Sequence, residues 1–216
     1  MSQIERKTAG VPTLKRLPLY LRLLRKMKVN GEDYASGAVV ARELGLDPIV
    51  VRKDLAITGA VGRPRLGFPM DEIISAIEEF LGWSNTSDAF LVGVGNLGTA
   101  LLGYKGFDQH GMRIVAGFDS NPKMIGKTIH GKKVLDVSKM PELAKRMHVQ
   151  IGVLTVTASV AQDVADAMIK GGIRAIWNFT PTSLDVPDHV ILQREELASS
   201  LAVLSHRLLM ERTKQV

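Results

Sequence analysis

The feature that most limits what this chain can fold into is the run AFLVGVGNLGTALLGY at residues 89–104. An apolar segment of strand character ends at Gly93, and a helix-forming segment follows the glycines. Gly93 permits a tight turn, Gly95 lets a pyrophosphate approach the backbone, and Gly98 lets the helix pack closely against the strand. Phosphate groups are favoured at the N-terminus of such a helix. The run therefore predicts a strand–turn–helix unit that binds a dinucleotide.

An acidic residue supports this interpretation. The segment RIVAGFDSNP is a second predicted strand, and it ends at Asp119, 24 residues after Gly95. A carboxylate at this point accepts hydrogen bonds from the adenosine ribose and disfavours a 2′-phosphate. We therefore expect NAD(H) rather than NADP(H), although Lys123 nearby can tolerate a phosphate.

The alternation of strands and helices continues to about residue 180 and predicts five strands of a parallel sheet. Ligands of such sheets lie beyond the carboxyl ends of the strands. The nicotinamide end of the site is therefore predicted at residues 157–158, after the fourth strand, and at residues 178–180, after the fifth. Phe179 has core packing, and Asn178 a turn cap, as the alternative role. The predicted nucleotide contacts are Gly93, Val94, Gly95, Asn96, Leu97, Gly98, Asp119, Ser120, Lys123, Thr157, Ala158, Asn178, Phe179 and Thr180.

Charge is distributed unevenly along the chain. Residues 1–70 hold 13 Lys/Arg and 6 Asp/Glu, whereas residues 71–216 hold 15 and 16. The whole positive excess thus precedes the glycine-rich turn, which suggests an N-terminal domain that binds nucleic acid. A basic domain that is merely soluble is the alternative.

Two short helices are predicted within this basic part. In YASGAVVARELGL, Ser36 can cap a helix that Gly45 ends, and in LDPIVVRKDLAITG, Asp47 and Pro48 begin a second one. Two helices joined by a turn of about three residues match a helix-turn-helix. In the second helix, the recognition helix, Ile49, either Val51 or Val50, and Leu55 are expected to pack inward.

Two further segments complete the predicted N-terminal domain. GAVGRPRLGF predicts a tight basic hairpin, a wing whose arginines can enter a minor groove. MDEIISAIEEFLGW predicts an amphipathic helix capped by Asp71, followed by a linker at residues 84–88. A plain three-helix bundle with solvated cations is the alternative. The predicted DNA contacts are Arg16, Arg52, Lys53, Arg63 and Arg65.

Signs of catalysis are weak. The sequence has no Cys, none of its five His lies in a recognisable catalytic or metal motif, and only about 35 residues follow the fifth strand. A dehydrogenase with a basic appendage is therefore disfavoured, and no catalytic or metal residue is predicted. A regulator that binds CoA stays open as a second alternative.

The C-terminal segment predicts one long helix. Leu197, Leu201, Leu204 and Leu208 recur at heptad-like spacing among polar residues, so the seam needs a partner. Its own domain is one possible partner, and a second subunit is favoured because helix-turn-helix proteins on two-fold operators are dimeric. The absence of a signal peptide or an 18-residue apolar stretch predicts a cytoplasmic protein.

Taken in this order, these segments resemble the Rex family of redox-sensing transcriptional repressors. The similarity extends from LYLRLL through VRKDL, the wing, GVGNLGTALLGYKGF, GFDSNP, TVTA and NFTP to the terminal helix. VRKDL combined with a glycine motif that ends in YKGF is specific. The resemblance implies a homodimer that binds A/T-rich palindromic operator DNA and releases it when NADH binds, with NADH and NAD⁺ as effector ligands.

The resemblance also implies a fold and a switch. The fold is α/β, with an N-terminal winged helix (1–83), a Rossmann-type parallel sheet (84–187) and a C-terminal helix swapped between subunits (188–216). Arg22, Tyr104 and Glu196 would form the switch, in which the acid pairs with the Arg in one state and with the Tyr in the other. Glu196 stands where the family has an Asp.

Overall fold

The chain divides into two compact units, residues 1–85 and 86–216. A computed structural model describes residues 8–214. The segment that we predicted as a separate tail, residues 188–216, falls within the second unit. Within the described part of the chain, no helix is both long and apolar enough to cross a membrane.

The first unit combines helices with a very small sheet. Its elements are α1 (Val11–Val29), β1 (Tyr34–Ala35), α2 (Gly37–Leu44), α3 (Pro48–Ile57), β2 (Phe68–Pro69) and α4 (Met70–Phe80). The predicted pair of short helices is present as α2 and α3. The two strands pair antiparallel, with Tyr34 opposite Pro69. The predicted wing is therefore smaller than expected, because β2 pairs with a strand that precedes α2.

Local capping explains where α2 and α3 begin. The Ser36 hydroxyl accepts the N–H of Val39 at 3.2 Å, and the Asp47 carboxylate accepts the N–H of Ile49 at 2.6 Å. Gly45 ends α2 with a φ of 64°, a conformation that glycine adopts without strain. These three of the predicted caps are confirmed, as is Pro48 in the first turn of α3.

Packing of the first unit departs from the prediction at two side chains. Ile49 is 60% exposed, whereas Val51 and Leu55 are buried as expected. Asp71 does not cap α4, which begins after Pro69. Asp71 lies in the first turn and forms an ion pair with Lys28.

The second unit is built around one seven-stranded sheet. Its strands are β3 (Ser87–Val92), β4 (Met112–Asp119), β5 (Thr128–Ile129), β6 (Lys132–Asp136), β7 (Ile151–Leu154), β8 (Ala175–Asn178) and β9 (Ile191–Arg194). Their spatial order is β5-β6-β4-β3-β7-β8-β9, and all neighbours are parallel except β5 and β6. Without the short β5, this is the strand order of a Rossmann fold.

Helices cover this sheet on both faces, so its central strand is buried on both sides. The covering helices are α5 (Asn96–Gly103), α6 (Met140–Met147) and α7 (Ala161–Lys170), and short 3₁₀ turns span 105–110, 137–139 and 158–160. A further helix, α8 (Leu197–Lys214), follows β9, and its described side chains are exposed. Along β3, Phe90 and Val92 join one apolar cluster with α6 and α7, while Ala89 and Leu91 join another with α5. A continuous apolar strand is expected when both faces are covered.

Strand β9 was missed in the sequence because half of it is polar. Gln193 and Arg194 were assigned to the terminal helix, yet they lie in a strand that pairs parallel with β8. The helix begins later, at Leu197. Leu201, Leu204 and Leu208 of its predicted seam are each at least half exposed. The side chain of Leu197 lies outside the described part of the structure.

Candidate functional site

A cavity of about 650 Å³ opens at the carboxyl ends of the central strands β3, β4 and β7. It lies at the point where the order of the strands reverses, which is where open α/β sheets bind ligands. We call it the glycine pocket. It is lined by Val92, Gly93, Val94, Gly95, Asn96, Thr99, Asp119, Ser120, Asn121, Met124, Val137, Thr155, Val156, Thr157, Val160, Asp163 and Val164.

Two glycines bring the backbone segments of this pocket into contact. Gly93 has a φ of 98°, and a Cβ there would lie 2.7 Å from the carbonyl carbon of Thr155. A Cβ on Gly98 would lie 2.0 Å from the carbonyl oxygen of Gly93. Thr155 locks the same contact, since its hydroxyl donates to the carbonyl of Gly93 at 2.7 Å. Larger residues cannot replace either glycine without movement of the backbone.

Gly95 is different from the other two glycines of the motif. A Cβ placed on it would meet no heavy atom within 4 Å, although the residue lines the pocket. It is the residue that precedes α5, and no side chain among the described residues caps that helix. The first N–H groups of a helix lack intrahelical partners and carry a positive partial charge. The beginning of α5 is thus a surface suited to an anion such as a pyrophosphate.

Asp119 lies at the end of β4, beside the glycine turn. One carboxylate oxygen accepts the N–H of Val94 at 2.7 Å, and the other accepts the N–H of Asn121 at 2.8 Å. These bonds fix the carboxylate at the pocket wall, and each oxygen keeps a second lone pair for a ligand. Ser120 also lines the pocket, whereas Lys123 does not.

The predicted nicotinamide end is only partly assembled around the glycine pocket. Thr157 lines it, but Ala158, Asn178, Phe179 and Thr180 do not. Asn178 is fully buried, and its side chain accepts the N–H of Thr180 at 2.8 Å and donates to the carbonyl of Thr182 at 3.0 Å. Asn178 thus has the turn-capping role, the alternative to a ligand contact. Among the motif residues, Leu97 and Gly98 also lie outside the lining.

Phe179 belongs to an aromatic cluster at the same edge of the sheet. Its ring lies 4.9 Å from that of Trp177, which lies 5.6 Å from Phe107, which in turn lies 4.8 Å from Tyr104. The indole N–H of Trp177 donates to Glu195 at 2.9 Å. The cluster therefore joins the end of α5 to the residues that precede α8.

Sequence reasoning missed one wall of the pocket. The start of α7 contributes Val160, Asp163 and Val164, and the loop before it contributes Thr155 and Val156. Val160, Asp163 and Val164 follow the spacing i, i+3, i+4, which places them on one helix face. That spacing, directly after a predicted strand end, is the signal that could have found them. Asp163 adds a second carboxylate to the wall.

In the first unit, the recognition helix α3 presents cations on its outer face. Arg52 and Lys53 are exposed and form no ion pair with any side chain that the structure describes. The opposite face of α3 is buried through Val51 and Leu55. Free cations on a fixed helix face are suited to phosphates and to base edges in a major groove.

A buried ionic group holds α3 against α1. Asp54 is only 4% exposed, and its two carboxylate oxygens accept four hydrogen bonds. Arg16 donates through Nε at 2.6 Å and through Nη2 at 2.9 Å, Tyr20 donates its hydroxyl at 2.7 Å, and Thr13 donates at 2.9 Å. We call these four residues the Asp54 network. The guanidinium of Arg16 is thus engaged within the protein, so its hydrogen bonds do not support the predicted DNA contact.

Titration in the Asp54 network follows from burial and from these bonds. Burial opposes the charged form of Asp54, but the hydrogen bonds from Arg16, Tyr20 and Thr13 outweigh it and lower the pKa of the carboxyl. Burial, with the bond to the Asp54 carboxylate, raises the pKa of Tyr20 to about 12. The bond to Asp54 raises the pKa of Arg16 despite desolvation. At neutral pH the network is an ion pair with a neutral tyrosine.

The basic hairpin is closed by two backbone bonds between Arg63 and Gly67. Arg63 donates to the Tyr34 hydroxyl and to Glu72, each at 3.2 Å, so its charge is partly neutralised. Arg65 lies at the tip with a φ of 63°, is exposed, and pairs with no acidic side chain among those described. Of the two predicted wing contacts, Arg65 is the free cation.

The three predicted switch residues are divided between the units. Arg22 is exposed on α1 of the first unit. Tyr104 and Glu196 belong to the second unit. Tyr104 is 56% exposed, and Glu196 accepts from Arg194 at 2.8 Å and from the Ser199 hydroxyl at 3.1 Å. The pairing among the three stays a prediction.

Comparisons with known proteins agree with this division. A family model described as a CoA binding domain matches residues 84–182, and one described as a putative DNA-binding protein N-terminus matches residues 10–56. The protein named redox-sensing transcriptional repressor Rex from Treponema denticola is 48% identical over 200 residues, which covers 93% of this chain and 95% of that one. Its namesake from Bacteroides fragilis is 41% identical and covers 91% and 90%.

Solved structures show the same likeness. The crystal structure of RSP, described as a Rex-family repressor, in complex with β-NAD⁺ and operator DNA has a TM-score of 0.89 at 32% identity, and covers 97% of this chain and 96% of that one. The RSP complex with β-NADH has a TM-score of 0.86 at 31% identity, and covers 97% and 98%. The predicted arrangement of an N-terminal DNA-binding domain before a Rossmann-like sheet is thereby confirmed.

Proposed function

The chain belongs to the Rex family of redox-sensing transcriptional repressors, and from this premise we propose that it represses transcription in response to the NADH/NAD⁺ ratio. It is a regulator rather than an enzyme. The first unit binds operator DNA through Arg52 and Lys53 of α3 and through Arg65 of the hairpin. The second unit binds NADH or NAD⁺ in the glycine pocket, and NADH releases the DNA.

The observation that carries this proposal is that one chain has both a helix face with free cations, on α3, and the glycine pocket. The glycine pocket offers uncapped helix N–H groups to a pyrophosphate and the carboxylate of Asp119 to a ribose diol. The Asp119 carboxylate disfavours a 2′-phosphate and favours NAD(H) over NADP(H). CoA, whose adenosine carries a 3′-phosphate, is disfavoured by the same carboxylate.

The direction of the response follows from desolvation. The reduced nicotinamide is neutral, whereas the oxidised ring is a cation that costs more to bury. NADH is therefore expected to favour the closed, DNA-incompetent state more strongly than NAD⁺. A ligand that prefers that state lowers the affinity for DNA. Because the coupling is reciprocal, DNA lowers the affinity for the ligand by the same factor.

We propose a homodimer whose two copies of α8 cross to the partner subunit. The apolar side chains of α8 support this, because Leu201, Leu204 and Leu208 are at least half exposed in the single chain. A two-fold dimer matches a palindromic A/T-rich operator. In this scheme Glu196 pairs alternately with Arg22 and Tyr104. A DNA-bound repressor of this kind acts in the cytoplasm.

A gel shift tests the proposal. The chain is bound to an A/T-rich palindromic duplex, and NADH, NAD⁺, NADPH and CoA are titrated in turn. We expect NADH to release the duplex at concentrations at least tenfold below those of NAD⁺, with NADPH and CoA weaker still. Equal effects of NADH and NAD⁺ would contradict redox sensing, and release by CoA alone would identify a CoA-responsive regulator.

A further inference from the structure

The outer face of α3 contains an apolar side chain that no packing requirement explains. Ile49 is 60% exposed, although the sequence pattern predicts that it packs inward. It is separated by three and four residues from Arg52 and Lys53, so the three side chains share one helix face. Single exposed apolar residues are common on protein surfaces. What distinguishes Ile49 is that it shares a face with the two free cations of the recognition helix.

The backbone at Ile49 is held in place from two sides. The Asp47 carboxylate accepts its N–H at 2.6 Å, and Pro48 before it has a fixed φ. The Asp54 network anchors the inner face of the same helix to α1. Because isoleucine is also stiff at χ1, its methyl groups point in a well-defined direction. Little conformational entropy is lost when such a side chain meets a ligand.

The chemistry of the major groove restricts what Ile49 can recognise. Base edges there carry hydrogen-bond donors, acceptors and one apolar group, the C5-methyl of thymine. Residues in the first turn of a recognition helix are those that reach base edges. An aliphatic side chain at this point gains free energy only against that methyl group.

We propose that Ile49 is a specificity-determining residue that contacts a thymine methyl group in the operator. This inference rests on the proposed DNA binding by α3 and adds a defined base preference to it. Arg52 and Lys53 supply charge, which is largely independent of sequence. Ile49 selects thymine at one position of each half-site.

The test removes the methyl group from the DNA and the side chain from the protein. An operator is selected with the wild-type chain from a library of random duplexes, and each thymine is replaced in turn by deoxyuridine. At one thymine we expect the wild-type affinity to fall about fourfold, the effect of burying one methyl group. For Ile49→Ala the affinity should be the same with thymine and with deoxyuridine at that position.

Two control variants sharpen this comparison. Ile49→Val keeps a branched side chain and should keep most of the thymine preference. Val29→Ala removes an apolar side chain at the end of α1 that is still more exposed, at 87% against 60%, and should leave the preference unchanged. Ile49 is exposed, so these variants should unfold at the wild-type temperature.

Each outcome decides a separate question. An unchanged ratio of affinities for thymine and deoxyuridine in Ile49→Ala would overturn the role of Ile49 and leave DNA binding by α3 intact. Insensitivity of the wild type to deoxyuridine at every position would do the same. Failure of the wild type to select any duplex would instead contradict the proposed function itself, and this inference with it.

Discussion

The two units of the chain treat their polar groups in opposite ways. In the first unit, the buried carboxylate of Asp54 accepts four hydrogen bonds from side chains of α1. In the second unit, the N–H groups at the start of α5 have no side-chain cap and face a cavity of about 650 Å³. The buried carboxylate of the first unit is satisfied by the protein itself, whereas the start of α5 in the second unit has N–H groups that a ligand can satisfy. The difference indicates that the small-molecule site of the chain lies in the second unit.

The largest expected effect comes from breaking the closed network of the first unit. Asp54→Ala leaves the Arg16 guanidinium without its partner. Removal of one partner from a buried ion pair costs about 3–5 kcal/mol. Because the Arg16 side chain keeps 25% exposure, we expect about 3 kcal/mol of lost stability. Urea unfolding followed by Trp83 emission, in a Trp177→Phe background, measures this loss in the first unit.

The matched control is the exposed pair Arg42–Glu43, in which both side chains are about half exposed or more. Glu43→Ala should change the unfolding free energy by less than about 1 kcal/mol. NADH affinity should stay at the wild-type value in both variants. A loss for Asp54→Ala no larger than that for Glu43→Ala would show that the network adds nothing to the first unit.

The second prediction separates the two roles of glycine in the pocket. In Gly98→Ala the new Cβ would lie 2.0 Å from the carbonyl oxygen of Gly93, so the backbone must move. Overpacking of this kind costs about 1–3 kcal/mol. We expect lower stability of the second unit and at least tenfold weaker NADH binding, measured by calorimetry.

Gly95→Ala provides the contrast within the same motif. Its Cβ meets no protein atom within 4 Å, so stability should fall by less than about 1 kcal/mol. NADH affinity should nevertheless fall, because Gly95 lines the pocket and a methyl group there would hinder the approach of a pyrophosphate to the backbone. Unchanged NADH affinity in Gly95→Ala would mean that the nucleotide does not approach this turn.

The smallest effect concerns pH. The pKa of Asp54 is lowered in the folded state, so its ion pair stabilises the first unit above the unfolded value of about 4. This contribution is lost as the pH falls below about 4 and through the folded pKa. We expect the urea midpoint of the first unit to fall over this range, and to fall less steeply in Asp54→Asn.

Asp136 in the second unit tests whether burial matters for this pH dependence. Hydrogen bonds donated by Ser138 lower the pKa of Asp136 too, but the side chain is accessible to solvent. Asp136→Asn should therefore leave the acid limb of the unfolding curve close to that of the wild type. Equal changes of the acid limb in Asp54→Asn and Asp136→Asn would show that burial of the carboxylate does not matter for this pH dependence.

Features determined by neighbouring residues could be predicted from the sequence. The caps at Ser36 and Asp47, the end of α2 at Gly45, and the glycine turn with Asp119 depend on contacts within a few residues or on a known turn geometry. The fold class followed because strand and helix periods alternate regularly along the second half of the chain.

Features that depend on distant partners could not be predicted. Asp54 is polar and follows two cations in VRKDL, and its burial results from residues 34 to 41 positions earlier in the chain. Strand β9 is polar because it pairs with only one neighbour at the sheet edge. The sequence left two roles open for Asn178, and the bonds to Thr180 and Thr182 show the capping role.

The anchoring of α8 gives this helix a mechanical property. Just before it, Glu195 donates its backbone N–H to the carbonyl of Asn178 at 2.9 Å and accepts the indole N–H of Trp177. The 18 residues that follow form a rod of about 27 Å. A tilt of about 10° at its fixed end displaces its free end by about 5 Å, by the geometry of a rod of that length. A small rearrangement of the aromatic rings beside Trp177 that tilts α8 therefore produces a larger displacement at the far end of the helix.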